Sequence, residues 1–239
     1  MISTAFHTAI YEPLYNGLVF LVGFIPSHDV GVAVILLTIL VRIFLFPLSR
    51  NAISTQIKMK KVAPEVDALR EKFKDKREEQ ARAILALYRE HNIRPFANFA
   101  LFLLQLPVII GLYWVFAFGG LPEINTSILY SFISTPPSVN MLFLGFIPMD
   151  GHSIVLALLA GVSQFIYTRL SLGKRVAPQK PAGASFSDDM ARSLDLQMRF
   201  VLPVIVSIAA FYIVAAAPLY WVASNIFMIG QEYLMGRRF

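Results

Sequence analysis

Five stretches of the chain are apolar over about the 20 residues that a helix needs to cross a bilayer. They cover residues 30–48, 96–118, 153–170, 200–217 and 219–234. Their interiors hold one Lys or Arg, which is Arg42, and no Asp or Glu, because Arg169 and Glu232 lie at their ends. Only 15% of all residues are charged and 56% are apolar, so a water-soluble fold could not cover the apolar surface. The sequence therefore predicts an all-α integral membrane protein, built as a five-span helical bundle.

The positive charges give this bundle an orientation. Nineteen of the 21 Lys and Arg residues fall within residues 50–94, 174–199 and 237–238, and residues 1–29 and 119–152 contain none. Lys and Arg concentrate in cytoplasmic loops. We therefore predict an external N-terminus and a cytoplasmic C-terminus. The net charge of +6 follows from this topology, and we expect no direct recognition of nucleic acid.

The predicted segments alternate between the two sides of the membrane. In chain order they are an external segment 1–29, span one 30–49, a cytoplasmic basic hairpin 50–94, span two 95–118, an external loop 119–152, span three 153–170, a flexible cytoplasmic loop 171–199, span four 200–217, a turn at Pro218, span five 219–235 and a tail 236–239. Within the first segment, the apolar run 17–25 is too short to span and ends at Pro26. We predict an interfacial amphipathic helix over residues 5–25, with a tilted extra span as the alternative.

The basic segment has the pattern of two antiparallel helices joined near residues 74–77. One apolar stripe contains Val62, Val66, Leu69 and Phe73, and a second contains Ala81, Leu85 and Tyr88, with Ile84 and Leu87 beside it. The hairpin is either a solvated cap or a docking surface for anionic lipid, a ribosome or an incoming chain. The candidate contact residues are Lys58, Lys60, Lys61, Arg70, Lys72, Lys74, Lys76 and Arg77.

Arg42 is the candidate functional residue of the spans, because an ionised side chain in hydrocarbon costs about 3 kcal/mol or more. It has no obvious counter-ion, Glu232 being the only nearby candidate, and three spans carry polar side chains at helical spacing. Such stripes either hold helices together or line a wet groove, and Arg42 itself could snorkel to the cytoplasmic edge. The predicted groove residues are Arg42, Thr38, Ser49, Asn98, Gln105, Trp221 and Asn225.

Catalytic chemistry is not predicted. The chain has no Cys, which excludes disulfides, thiol nucleophiles and cysteine metal sites. Its four His residues lie outside the spans, and no metalloprotease, nucleophile-elbow or phosphate-loop motif is present. We expect no enzyme activity, no cofactor and no metal.

Four segments together resemble the YidC/Oxa/Alb family of membrane protein insertases, in its short bacterial form. They are TILVRIFLFPLS at 38–49, KMKKVAPEVDALREKF at 58–73, ALYREHNIRPFANFALFLLQLPVIIGLYWVF at 86–116 and PLYWVASNIFMIGQ at 218–231. The chain departs from the family in Phe96-Ala97 after Pro95, where many members have Gly-Cys or Gly-Gly. As in the short forms, we expect no large external domain before the core, and the brief tail predicts no strong ribosome docking.

The resemblance implies an insertase and chaperone of the bacterial inner (plasma) membrane. Five helices would surround a hydrophilic groove that is open to cytoplasm and lipid, and short-tailed membrane proteins would enter it at Arg42 and leave sideways into the bilayer. The implied partners are nascent membrane proteins and lipid, with the ribosome and a SecYEG-type translocon as further candidates. The alternatives are a small channel or transporter, for which an internal repeat is missing, and an assembly chaperone without insertion activity.

Overall fold

The computed structural model describes residues 4–74, 76–93, 97–117, 121–173, 193 and 195–237, without the side chains of residues 5, 97–105 and 117. Its helices are α1 Thr4–Phe6, α2 Glu12–Phe24, α3 Val30–Phe44, α4 Phe46–Lys61, α5 Ala63–Lys72, α6 Arg77–Glu90, α7 Ala97–Ala117, α8 Ile154–Leu172, α9 Leu202–Tyr212 and α10 Ala216–Leu234. Single π-helical turns cover His7–Tyr11 and Gln197–Val201, and a 3₁₀ turn covers Thr126–Ile128. Strand β1 (Leu142–Phe143) pairs antiparallel with β2 (Ile147–Pro148). The predicted helical class is confirmed.

Few of these helices are, taken singly, both long enough and apolar enough to cross a bilayer. Among the described residues, only α8 is both long and apolar enough to cross a bilayer alone. Helices α3 and α4 meet the same criterion only when counted together, and Leu106–Phe116 and Gln197–Tyr212 are shorter apolar helices. The count of five spans stays a prediction.

The first span differs from its prediction as one helix over residues 30–48. Helix α3 ends at Phe44 and α4 begins at Phe46, with Leu45 between them. Pro47 lies in the first turn of α4, where its missing N–H costs nothing because the first turn of a helix has no acceptors for these groups. The proline that seemed to sit inside a span therefore starts a new helix.

The chain forms two compact units, residues 1–43 with 107–239, and residues 44–106. In the first unit, α2 belongs to the core, since Tyr15, Leu18 and Val22 are fully buried in one cluster with Val30 and Val34 of α3. Seven of the 13 residues of α2 are buried. The predicted helix at residues 5–25 is therefore packed extensively against protein, and its place at the membrane surface stays a prediction.

Residues 121–152 are attached to the helices of this unit by buried polar groups. The Asn16 amide donates to the Ile128 carbonyl at 2.8 Å and accepts from the Tyr130 N–H at 2.7 Å. The Tyr15 hydroxyl accepts from the Asn125 N–H at 2.7 Å. Because an unpaired buried amide is costly, these bonds fix the loop to α2.

The turn between the last two helices lies earlier than the predicted turn at Pro218. Helix α9 ends at Tyr212 and α10 begins at Ala216, so Pro218 is in the first turn of α10, where proline is tolerated. The Ala215 N–H donates to the Gly151 carbonyl at 2.7 Å, and the Ala216 N–H donates to the Met149 carbonyl at 3.1 Å. The loop that contains Met149 and Gly151, and not the proline, therefore sets the position of the break.

Helices α8, α9 and α10 pack closely through small residues. Ala157, Ala160 and Ala210 are buried in one cluster. A Cβ added at Gly161 would lie 2.7 Å from the Ser207 Cβ and 3.1 Å from the Pro203 carbonyl oxygen. Small residues allow helix backbones to approach in this way in membrane proteins.

In the second unit, α5 and α6 pack around buried Val62, Val66 and Ile93. The stripe predicted for α6 is partly wrong. Leu85 is 48% exposed and Ala81 is also exposed, whereas Ile84, Leu87 and Tyr88 pack against the cluster. The apolar face of α6 is thus formed by Ile84, Leu87 and Tyr88 rather than by Ala81 and Leu85.

Candidate functional site

The first unit buries Arg42 in the last turn of α3, where it is 8% exposed. Its Nε donates to the Ser224 hydroxyl of α10 at 2.9 Å. Among the described residues no carboxylate lies within ion-pair distance of the guanidinium. In the described part of the chain, this permanent cation thus has a neutral hydrogen-bond partner and no paired carboxylate.

One feature makes this position less costly for a cation. Arg42 lies two residues before the end of α3, where the negative end of the helix dipole stabilises positive charge by about 0.3–1 kcal/mol. This is a modest contribution compared with the roughly 3 kcal/mol cost of a charge in hydrocarbon.

Helix α8 carries a polar face that sequence analysis missed. Ser163, Gln164, Thr168 and Ser171 are all buried, and the Gln164 amide donates to the Thr168 hydroxyl at 3.1 Å. Together with Tyr167 they recur at spacings of three and four residues, the same signal that identified the other stripes. Because the other face of α8 is apolar, the sequence was interpreted as a span without a polar face.

Asn225 and Trp221 of α10 face α8 and α9, whereas Ser224 contacts Arg42. The Asn225 amide donates to the Ser163 hydroxyl at 3.1 Å, and Trp221 packs against the Ala157 and Ala160 cluster. Their prediction as groove residues is untested, but in this structure they connect helices. Ser224, which is next to Asn225 in the chain, is not among the predicted groove residues but is the hydrogen-bond partner of Arg42.

Two other predicted groove residues donate hydrogen bonds to carbonyl groups of their own helices. Thr38 is fully buried, and its hydroxyl donates to the Val34 carbonyl of its own helix at 2.6 Å. Ser49, in the second unit, donates to the Phe46 carbonyl at 3.0 Å. The side chains of Asn98 and Gln105 lie outside the described part of the structure.

Glu232, the candidate counter-ion of Arg42, pairs with Arg237 instead. Its carboxylate is fully buried and lies 3.1 Å from the Arg237 guanidinium, which is 8% exposed. Arg237 also donates to the Ser171 carbonyl at 2.6 Å, at the end of α8. The arginine predicted to be a cytoplasmic tail charge is therefore part of a buried ion pair.

The second unit presents its charges to solvent. The eight candidate contact residues of the hairpin are exposed, and its ion pairs are also exposed, such as Arg70–Asp67 at 3.4 Å and Lys76–Glu79 at 3.0 Å. Such pairs contribute about 0–1 kcal/mol each. Beside α5 lies a hollow of about 250 Å³, whose lining includes Lys60, Val66 and Tyr88.

No group of His, Asp and Glu in the described ranges could hold a metal ion. What the buried site offers is hydrogen bonding to a fixed positive charge. Such a site can bind an anionic group without any change of its own protonation.

Comparison with known proteins identifies one family. Residues 21–239 match the model of the family described as 60Kd inner membrane protein. A protein named membrane protein insertase MisCB from Bacillus subtilis is 31% identical over an alignment of 244 positions, covering 96% of this chain and 79% of that protein.

Longer relatives match in the same way. A protein named membrane protein insertase YidC from Syntrophobacter fumaroxidans is 30% identical over 212 residues, which are 88% of this chain and 35% of that protein. The one from Paraburkholderia phymatum is 28% identical over 230 residues, 96% of this chain and 36% of that protein. The chain thus spans about a third of the length of these YidC relatives.

Proposed function

The chain belongs to the 60Kd inner membrane protein family, and from that premise we propose that it is a membrane protein insertase of the bacterial inner membrane. The relatives named as insertases support the activity. The observation that carries the proposal is the buried Arg42, bonded to a neutral hydroxyl and without an ion pair among the described residues.

The proposed topology has five spans, with the N-terminus outside and the C-terminus in the cytoplasm. Its support is the distribution of Lys and Arg, which places residues 50–94 and 174–199 on the cytoplasmic side and residues 119–152 outside. The lipid-facing surface would include α8 and α9, whose Leu158, Val162 and Ile205 are more than half exposed.

In the proposed mechanism Arg42 receives an acidic group in the extracellular segment of an incoming protein. A charge-assisted bond between guanidinium and carboxylate is roughly twice as strong as one between neutral groups. A substrate carboxylate can therefore compete with the Ser224 hydroxyl for Arg42. The bond lowers the cost of taking that carboxylate partway into the membrane.

Apolar parts of the substrate would then leave sideways into lipid. Removing apolar surface from water yields about 25 cal/mol per Å², so a substrate helix supplies its own driving force and no nucleotide is needed. The groove would be lined by Arg42, Thr38, Trp221 and Asn225. The assignment of Ser49, Asn98 and Gln105 to the groove stays a prediction.

The basic hairpin would receive the substrate on the cytoplasmic side. Its exposed Lys and Arg residues, twelve in residues 50–94 against seven acids, suit anionic lipid or an acidic nascent chain. Nascent membrane proteins and lipid are the proposed partners, and contacts with a ribosome or a SecYEG-type translocon remain proposals.

A reconstituted insertion assay tests this function. With a single-span substrate that has an acidic external tail, we expect Arg42→Glu to reduce insertion about tenfold or more, the equivalent of one lost hydrogen bond to a charged group. Arg42→Lys should retain most of the activity because it preserves the charge.

The exposed Arg169 of α8 provides a matched control, since Arg169→Glu makes the same charge change on the same unit. Insertion should be nearly unchanged in this variant, and a substrate with a neutral tail should depend little on Arg42. Equal insertion by wild type and Arg42→Glu would rule out the proposed electrostatic role.

A further inference from the structure

The β-hairpin of residues 142–148 has apolar side chains on both faces. Phe143 and Ile147 point inward, and Phe143 packs against Gly31, where any Cβ would clash with its ring. On the outward side Leu142, Leu144 and Phe146 are 46%, 61% and 68% exposed. A hairpin with one face in water is expected to carry polar residues on that face.

The chain segment that carries this outward row is uncharged. Residues 124–149 contain no Asp, Glu, Lys or Arg, and the exposed Asp150 follows them. The hairpin itself therefore has no charged side chain that could attract a charged partner. Its exposed apolar side chains are more stable in contact with an apolar medium than in water.

Asp29 holds the hairpin tip at the start of α3. One carboxylate oxygen caps the helix by accepting from the N–H groups of Gly31 at 2.8 Å and Val32 at 3.1 Å. The other accepts from the Leu144 N–H at 2.9 Å, and the whole residue is buried, at 4% exposure. The tip thus lies at the start of α3. After β2, the Met149 carbonyl accepts a hydrogen bond from the Ala216 N–H, the first of α10.

The backbone at the tip is unfavourable for the residue that it carries. Leu144 has φ 51° and is followed by Gly145 at φ 84°. Tight hairpins with two such residues favour Asn-Gly, and a leucine in the left-handed region costs about 1–2 kcal/mol. A costly residue at an exposed turn indicates that its side chain has a use that Asn or Gly would not supply.

We propose that the hairpin tip, through Leu142, Leu144 and Phe146, inserts into the outer leaflet of the lipid bilayer. The inference rests on the topology given under the proposed function, which places the starts of α3 and α10 at the outer edge of the membrane. The exposed apolar row then lies at the depth where aromatic and aliphatic side chains anchor membrane proteins. Asp29 acts as the positioning residue that couples this anchor to α3.

Depth-dependent fluorescence tests the proposal, because the chain has no native Cys. Leu144→Cys is labelled with an environment-sensitive fluorophore in the full-length protein, in liposomes whose acyl chains carry a quencher. Leu158→Cys on the exposed face of α8 provides the reference in lipid, and Glu123→Cys, an exposed charged position of the same loop, provides the reference in water. We expect the Leu144 probe to be blue-shifted and quenched relative to the Glu123 probe.

The outcomes separate this inference from the function on which it rests. If the Leu158 probe is quenched and the Leu144 probe matches the Glu123 probe, the anchor is refuted and the topology survives. An unquenched Leu158 probe refutes the topology. If unlabelled Leu144→Cys protein forms disulfide-linked dimers when an oxidant is added, and the labelled protein shows no lipid quenching, the surface belongs to a contact with a second copy of the chain and the proposal is overturned.

A second variant excludes simple misfolding. Leu144→Asn suits the left-handed backbone, so we expect an unfolding temperature equal to or above that of wild type. A probe at Phe146→Cys should nevertheless lose much of its quenching in this variant. Unchanged quenching would show that Leu144 contributes nothing to insertion of the tip.

Discussion

The two units of the molecule use charge in opposite ways. In the first unit Arg42, Glu232 and Arg237 are almost completely buried, and each has a specific partner on the protein. In the second unit the described ion pairs formed by Lys and Arg are open to water, with side chains 52–91% exposed. A buried charge depends on its partner because water cannot replace it, whereas exposed charges exchange partners at little cost. We therefore expect the same kind of substitution to have large effects in one unit and small effects in the other.

The largest expected effect comes from breaking the buried pair at the end of α10. Glu232→Ala leaves the Arg237 guanidinium buried without its carboxylate, which typically costs about 3–5 kcal/mol. Thermal unfolding of the purified protein in detergent measures the loss. The double variant Glu232→Leu with Arg237→Met should recover much of the stability, because it removes both charges.

The matched control is Asp67→Ala in the hairpin, where the partner Arg70 is 57% exposed. Its unfolding temperature should stay close to that of wild type. Equal losses in Glu232→Ala and Asp67→Ala would contradict the contrast between the units.

A smaller effect is expected from the close contact of α8 and α9. Gly161→Ala places a methyl group against Ser207 and the Pro203 carbonyl, and overpacking of this kind costs about 1–3 kcal/mol. Gly230→Ala in α10 adds the same methyl group where no atom lies within 4 Å, and should be neutral or stabilising. If both variants unfold at the same temperature, the packing of α8 on α9 is not as close as described.

The smallest effect on stability is expected from the basic hairpin. Replacing Lys58, Lys60 and Lys61 by Gln should change the free energy of unfolding by no more than about 0.5 kcal/mol, since these side chains are exposed. The initial rate of insertion into anionic liposomes should fall at low salt and converge with wild type at high salt, where charges are screened. A rate that is independent of these lysines at low salt would leave the hairpin as a solvated cap.

The sequence predicted the features that depend on composition and periodicity. Helical class and a turn near residues 74–77, where α5 ends at Lys72 and α6 begins at Arg77, follow from apolar patterning. The burial of Arg42 among helices also agrees with its unusual position in an apolar segment.

Features that depend on tertiary contacts were not predictable. The break before Ala216 is set by carbonyl groups of the distant loop residues Met149 and Gly151. Periodicity placed Asn225 on the same face as Trp221, but only the position of Arg42 in the folded chain selects Ser224 as its partner. Glu232 could be assigned to Arg42 or to Arg237 from sequence alone, and the buried geometry favours Arg237.

The central claim is that substrate reaches Arg42, and crosslinking at its hydrogen-bond partner tests this most directly. Ser224→Cys places a thiol next to Arg42 without replacing the arginine. Ser207→Cys provides a control position in the contact of α9 with α8. A ribosome-arrested substrate with a single cysteine in its acidic segment is then oxidised in the presence of each variant. The account predicts a disulfide to position 224 that weakens when Arg42 is replaced by Glu, and little product at position 207. Equal crosslinking at both positions, or none at 224 during productive insertion, would contradict it.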